Sequence, residues 1–95
     1  MDVMMDAIAL HVCVTGRVQG VWYRQSTKDQ ADANGVSGWV RNLPDGRVEA
    51  LLVGAANAVH DVEAWMNQGP PLAMVAEVIS DLVDIPEGTL GFEVR

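Results

Sequence analysis

Arg24, Asn42 and the glycine-bounded stretch Gly16-Arg17-Val18-Gln19-Gly20 are the residues whose types and spacing suit chemistry. The chemistry they suit is that of a phosphate-like anion. A glycine-bounded loop that feeds a helix turns backbone N–H groups inward. Those donors have no partner at a helix start, and the helix dipole favours an anion there. Arg24 falls in the first turn of the helix that follows, where a cation meets the positive end of the dipole. A phosphate between them reverses the sign, and the planar arginine fork donates two parallel hydrogen bonds to such a group. Asn42 offers an amide oxygen that accepts from a water and a nitrogen that donates. It can hold a nucleophilic water without titrating. Each residue also has a plainer reading. Arg24 alone suits a solvated surface, and asparagines at strand ends satisfy local hydrogen bonds.

The elements that must position these residues are legible as periodicities. Ala7–Thr15 alternates, with Ile8, Leu10, Val12 and Val14 on one face and His11, Cys13 and Thr15 on the other, which predicts a strand. Tyr23, Thr27 and Ala31 recur every four residues, a helical stripe that Asn34-Gly35 ends. Val36–Asn42 alternates again, with Val36, Gly38 and Val40 opposite Ser37, Trp39 and Arg41. Pro44-Asp45-Gly46 is a turn, and Arg47–Val53 completes a hairpin that Gly54 breaks. A second helix, with Val59, Val62 and Met66 at spacings of three and four and Trp65 beside them, runs to about Gln68 before Gly69-Pro70-Pro71. Met74–Asp81 predicts a fourth strand and Phe92-Glu93-Val94 a short fifth edge strand. Strand, helix, strand, strand, helix, strand is the α+β ferredoxin-like order. It predicts a four-stranded antiparallel sheet with two helices on one face.

The chain has 95 residues, 49% apolar and 20% charged, so one globular domain over residues 1–95 is expected. Met1–Asp6 has no basic residue, makes a poor secretory signal and reads as a frayed end. No apolar run reaches the roughly 20 residues of a membrane helix. The single cysteine, Cys13, allows no internal disulfide and no zinc site built from several thiolates, and it suits a reducing cytoplasm. The net charge of −7 argues against nucleic acid as a partner. The charge is unevenly spread. His11–Arg47 holds five basic residues (Arg17, Arg24, Lys28, Arg41, Arg47) against three acids, whereas Val48–Arg95 holds eight acids against Arg95 alone. The anion-binding part of the chain therefore lies in its first half. Size and acidity give a monomer as the expectation.

Other reactive side chains read as structural. His11 sits on a strand with no identifiable carboxylate partner, and His60 lies on the acidic second helix. Cys13 has no His/Asn constellation. Asp61, Glu63, Glu77, Asp81 and Asp84 lack calcium-loop spacing and read as a solvated face. Trp65 reads as packing, while Trp39 is open between packing and ligand stacking. Arg17, Arg41 and Arg47 either widen the positive potential around the loop or sit on the surface.

Taken together, Gly16-Arg-Val-Gln-Gly-Val-Trp-Tyr-Arg24, then Ala31, Gly35, Gly38-Trp-Val-Arg-Asn42, Asp45-Gly46-Arg-Val-Glu49, Trp65, Gly69-Pro70 and Ala73 resemble the acylphosphatase family. The likeness covers Leu10 to Arg95. A nine-residue loop motif and a five-residue second motif at the right gap make it specific. Tyr23 stands where the family often has Phe, and Trp22 occupies a variable position. The resemblance implies that the loop Gln19, Gly20, Val21, Trp22, Tyr23 and Arg24 cradles a phosphoryl group, that Arg24 clamps it, and that Asn42 orients the attacking water. It implies a small acyl phosphate as substrate, with no metal and no organic cofactor.

Three other functions compete. An RNA-binding module on this topology needs aromatics on the central strands, and neither Ala7–Thr15 nor Arg47–Val53 has one. A phosphate-handling domain of a maturation enzyme would normally be fused to more chain. A regulatory module would use the sheet to dimerise and would respond to an amino acid rather than to phosphate.

Overall fold

The computed structural model describes residues 6–95. Seven elements follow in order: β1 (Ala7–Arg17), α1 (Tyr23–Ala33), β2 (Ser37–Asn42), β3 (Val48–Ala55), α2 (Ala56–Met66), β4 (Met74–Val83) and β5 (Phe92–Val94). The sheet order is β4-β1-β3-β2-β5. β1 pairs antiparallel with β3 and β4, and β2 antiparallel with β3. The expected edge strand is present. It joins β2 in parallel, Gly38 opposite Phe92 and Val40 opposite Val94, so the five-stranded sheet is mixed. α1 packs on β2 and β5, and α2 on β1 and β3. This is the ferredoxin-like α+β arrangement.

The period-two and period-four patterns make the core. Leu10, Val12 and Val14 of β1, Val40 of β2, and Val48, Ala50 and Leu52 of β3 are buried on one sheet face. Against them lie Tyr23, Thr27 and Ala31 of α1 and Val59, Val62 and Met66 of α2, all buried. Each fully buried Val, Leu or Met side chain contributes about 1.5–3 kcal/mol. The single buried polar side chain among them, Thr27, is satisfied because its hydroxyl donates to the Tyr23 carbonyl at 2.8 Å.

Several boundaries differ from expectation, each for a local reason. β1 runs through Gly16 to Arg17, because a register shift against β4 between Thr15 and Gly16 carries the strand onward. Only glycine fits there: a Cβ on Gly16 (φ 131°) would lie 2.2 Å from the Met74 carbonyl oxygen. Gly54 does not break β3. It pairs with Ile8, and Ala55 pairs with Ala7, so the strand passes directly into α2. Of the expected frayed end, Met1–Met5 lie outside the described residues. The Asp6 carbonyl accepts the Ala56 N–H at 3.2 Å. Among the described residues, no helix is long and apolar enough to cross a membrane.

Candidate active site

The loop between β1 and α1 is built by turning its side chains in and its backbone out. Val18 and Val21 are buried in the core. Tyr23 is buried beneath the helix start, where its hydroxyl donates to the Met66 carbonyl at 2.6 Å and its ring lies 5.8 Å from that of Trp65. Burial pushes the Tyr23 hydroxyl above its ordinary pKa, so it stays protonated and keeps that bond. Gln19 ties the loop to the β2–β3 hairpin, its side-chain amide donating to the Leu43 and Arg47 carbonyls at 2.8 and 2.9 Å. That tie holds Asn42 beside the loop.

At the helix start the chain makes an unusual choice. Trp22, the N-cap of α1, has φ 67° and ψ 18°, the left-handed region that bulky residues avoid. Its side chain is 76% exposed. No side chain caps the helix, and its first turn has no acidic residue. Among the described residues, the amides of Gly20, Val21, Trp22, Tyr23 and Arg24 have no backbone or side-chain acceptor. Donors gathered in this way, with the dipole behind them, form an anion-binding concavity.

Arg24 is the second residue of α1, and its Nη1 donates to the main-chain oxygen of Arg95 at 2.8 Å. Asn42 ends β2, half-buried, and its Oδ1 is sealed from solvent without a hydrogen-bond partner among the described residues. A cleft of about 410 Å³ brings the two together, lined by Val18, Gly20, Trp22, Tyr23, Arg24, Gln25, Asn42 and Val94. Of the expected loop residues, Gln19 and Val21 do not line the cleft. The first spends its side chain on the hairpin and the second on the core. Tyr23 offers only its backbone, because its hydroxyl is committed to Met66.

The other basic residues divide. Arg41 pairs with Glu49 at 2.6 Å and lies 5.4 Å from the Trp39 ring, and Arg47 pairs with Asp45 at 2.9 Å. Both charges are compensated, and Arg24 is the basic residue in the cleft's lining. Trp39 is half-buried, its ring 5.4 Å from the Arg41 guanidinium carbon and 5.0 Å from that of Arg95, and it lines a second cleft. Trp65 packs half-buried against the core. His60 meets Glu63 at 2.9 Å on the surface of α2. His11 does have a carboxylate partner, contrary to expectation: its Nε2 lies 2.6 Å from Glu49 Oε2. The two are 38 positions apart and meet only through the β1–β3 register. Sequence reasoning also missed Val94 and Gln25 in the cleft wall and the Arg95 oxygen on Arg24. Gln25 could have been found, since it shares the first helical turn with Arg24. The contributions of β5 carry no sequence signal, because they depend on a parallel pairing.

Comparison with known proteins matches these features. A model of the acylphosphatase family fits residues 10–94. An acylphosphatase of Nitrosococcus oceani is 60% identical over 82 residues, which cover 86% of this chain and 91% of that protein. One from Natronomonas pharaonis is 50% identical over 92 residues, covering 97% and 99%. In three dimensions, an acylphosphatase from Coxiella burnetii superposes with a TM-score of 0.90 at 33% identity, covering 95% of this chain and 94% of that one. With a family model matched over residues 10–94 and relatives 50–60% identical over most of its length, the chain belongs to the acylphosphatase family.

Proposed function

We propose that the protein hydrolyses the carboxyl–phosphate anhydride bond of small acyl phosphates, with Arg24 and the Gln19–Arg24 loop binding the phosphoryl group and Asn42 orienting the attacking water. The observation that carries this reading is the meeting of Arg24 and Asn42 in one cleft at an uncapped helix start. The free loop amides and the Arg24 fork hold the phosphoryl oxygens. The side-chain amide of Asn42, in the cleft lining, hydrogen-bonds the water and aims its oxygen at phosphorus. The water oxygen bonds to phosphorus as the bond to the acyl oxygen breaks. The carboxylate leaves with the electron pair, and a phosphate oxygen takes the water's proton. An acyl phosphate is an activated anhydride, so the reaction depends on positioning and on electrostatic stabilisation of the equatorial oxygens rather than on a metal hydroxide. The same reading takes the protein to work without metal or organic cofactor, as a cytoplasmic monomer acting on a small molecule.

The test is phosphate release from a synthetic acyl phosphate in excess EDTA, for the unaltered protein beside Arg24→Ala and Asn42→Ala. Turnover that resists EDTA and collapses in both folded variants supports every role. No turnover by the folded unaltered protein would overturn the reading and favour a phosphate-binding or regulatory module.

A further inference from the structure

The sheet face away from the helices carries a second cluster of reactive side chains, unused by the hydrolysis. The register of the central strands sets Cys13 opposite Glu49, with His11 two residues along β1 on the same face. The ligand atoms that His11, Cys13 and Glu49 offer all lie within 4.8 Å of one another, and all three residues are half-buried. A tetrahedral zinc centre holds imidazole nitrogen and carboxylate oxygen at about 2.0–2.2 Å and thiolate sulfur at about 2.3 Å, which spaces its ligand atoms about 3.3–3.8 Å apart. Side-chain rotation covers the difference while the strands stay in place.

We infer that His11, Cys13 and Glu49 form a binding site for one divalent transition-metal ion of the zinc type, separate from the cleft, with further coordination open to solvent. The donor set sets the class of ion: a thiolate and an imidazole favour zinc over magnesium or calcium, which prefer oxygen alone. The carboxylate is already prepared. Arg41 occupies Oε1 at 2.6 Å and leaves Oε2 turned toward His11. It thus acts as the outer partner that fixes a ligand's orientation. Metal replaces the His11–Glu49 hydrogen bond, and the Cys13 thiol releases its proton to solvent on binding. Asp81 faces His11 from β4 and adds negative charge on the open side. Asn42 belongs to the other face of the sheet, paired with the buried Val48. The ion therefore clamps β1 to β3 and does not enter the hydrolysis.

The test is titration of Zn²⁺, and then of Co²⁺ as a spectroscopic stand-in, into the full chain stripped with chelator. One equivalent binds, Co²⁺ gives a near-ultraviolet thiolate-to-metal charge-transfer band, and Zn²⁺ raises the melting temperature. Cys13→Ser abolishes the band. His11→Gln and Glu49→Gln weaken affinity by at least the roughly 10–100-fold that loss of an outer partner costs. Hydrolysis of acyl phosphate stays at the unaltered level in all three. Co²⁺ binding without the thiolate band, or equal affinity in Cys13→Ser, would overturn the site. Lost hydrolysis would overturn its separation from the cleft. If a variant fails to fold, alkylation of Cys13 in the unaltered chain decides: Zn²⁺ slows it if the site exists, and an unchanged rate overturns the inference.

Discussion

The two helices begin in the same poor way and end up with different duties. Neither α1 nor α2 has a side-chain cap, and neither has an acidic residue in its first turn. At α2 the chain answers this itself. β3 runs straight into the helix, and the Asp6 carbonyl takes the Ala56 N–H. At α1 the preceding loop leaves its amides open, adds Arg24 and faces Asn42 across a cleft. An uncapped helix start is thus common to a structural end and a candidate catalytic one. The cation in the first turn and the opposing amide separate them.

Substitutions can break or sharpen that contrast. The largest effect is expected from Arg24→Ala. Loss of a preorganised charged donor costs about 3–4 kcal/mol of transition-state stabilisation, a fall of several hundred-fold in kcat/KM. The Arg24–Arg95 hydrogen bond is exposed, so thermal stability should move by about 0.5 kcal/mol or less. Asn42→Ala should lower kcat by about 100-fold. Its Oδ1 has no protein partner to lose, so a calorimetric melt should show stability unchanged or raised. Gln19→Ala removes both bonds that tie the loop to the hairpin. At about 1 kcal/mol for each bond, a denaturant titration should show a loss of about 2 kcal/mol, with a smaller fall in activity as Asn42 drifts from the loop. Trp22→Asn should stabilise by about 1 kcal/mol, because asparagine tolerates the left-handed conformation better than tryptophan. The smallest change is a repair at the other helix. Ala55→Ser supplies the missing cap of α2 and should add about 0.5–1 kcal/mol with no effect on hydrolysis.

The residues legible in the sequence are those whose neighbours lie within a few positions. The Tyr23-Thr27-Ala31 stripe, the Val59-Val62-Met66 stripe and the alternation of Leu10, Val12 and Val14 all point inward as read, because periodicity alone selects the buried face. Arg24 stood out for the same local reason, as a cation at the wrong end of a dipole. What was not legible depends on register. His11 and Glu49 meet only because β1 and β3 pair as they do, and a one-residue slip would send one of them to the opposite face. Gln19 looked like part of the loop's lining, yet its side chain serves the hairpin 24 and 28 positions away. Gly54 looked like a breaker because glycine weakens strands, but the ladder with β1 overrides that weak preference.

The bond from Arg24 to the Arg95 oxygen joins positions 71 apart. β5 docks in parallel on β2, and Lys28 of α1 donates to the Phe92 carbonyl. The guanidinium proposed to grip the substrate is therefore steadied by one of the most distant pairings in the chain, and distant pairings pay the largest loop-closure entropy during folding. In a refolding experiment, helical signal and core burial should recover first and hydrolytic activity last, with the catalytic rate serving as a clock for the arrival of the final strand.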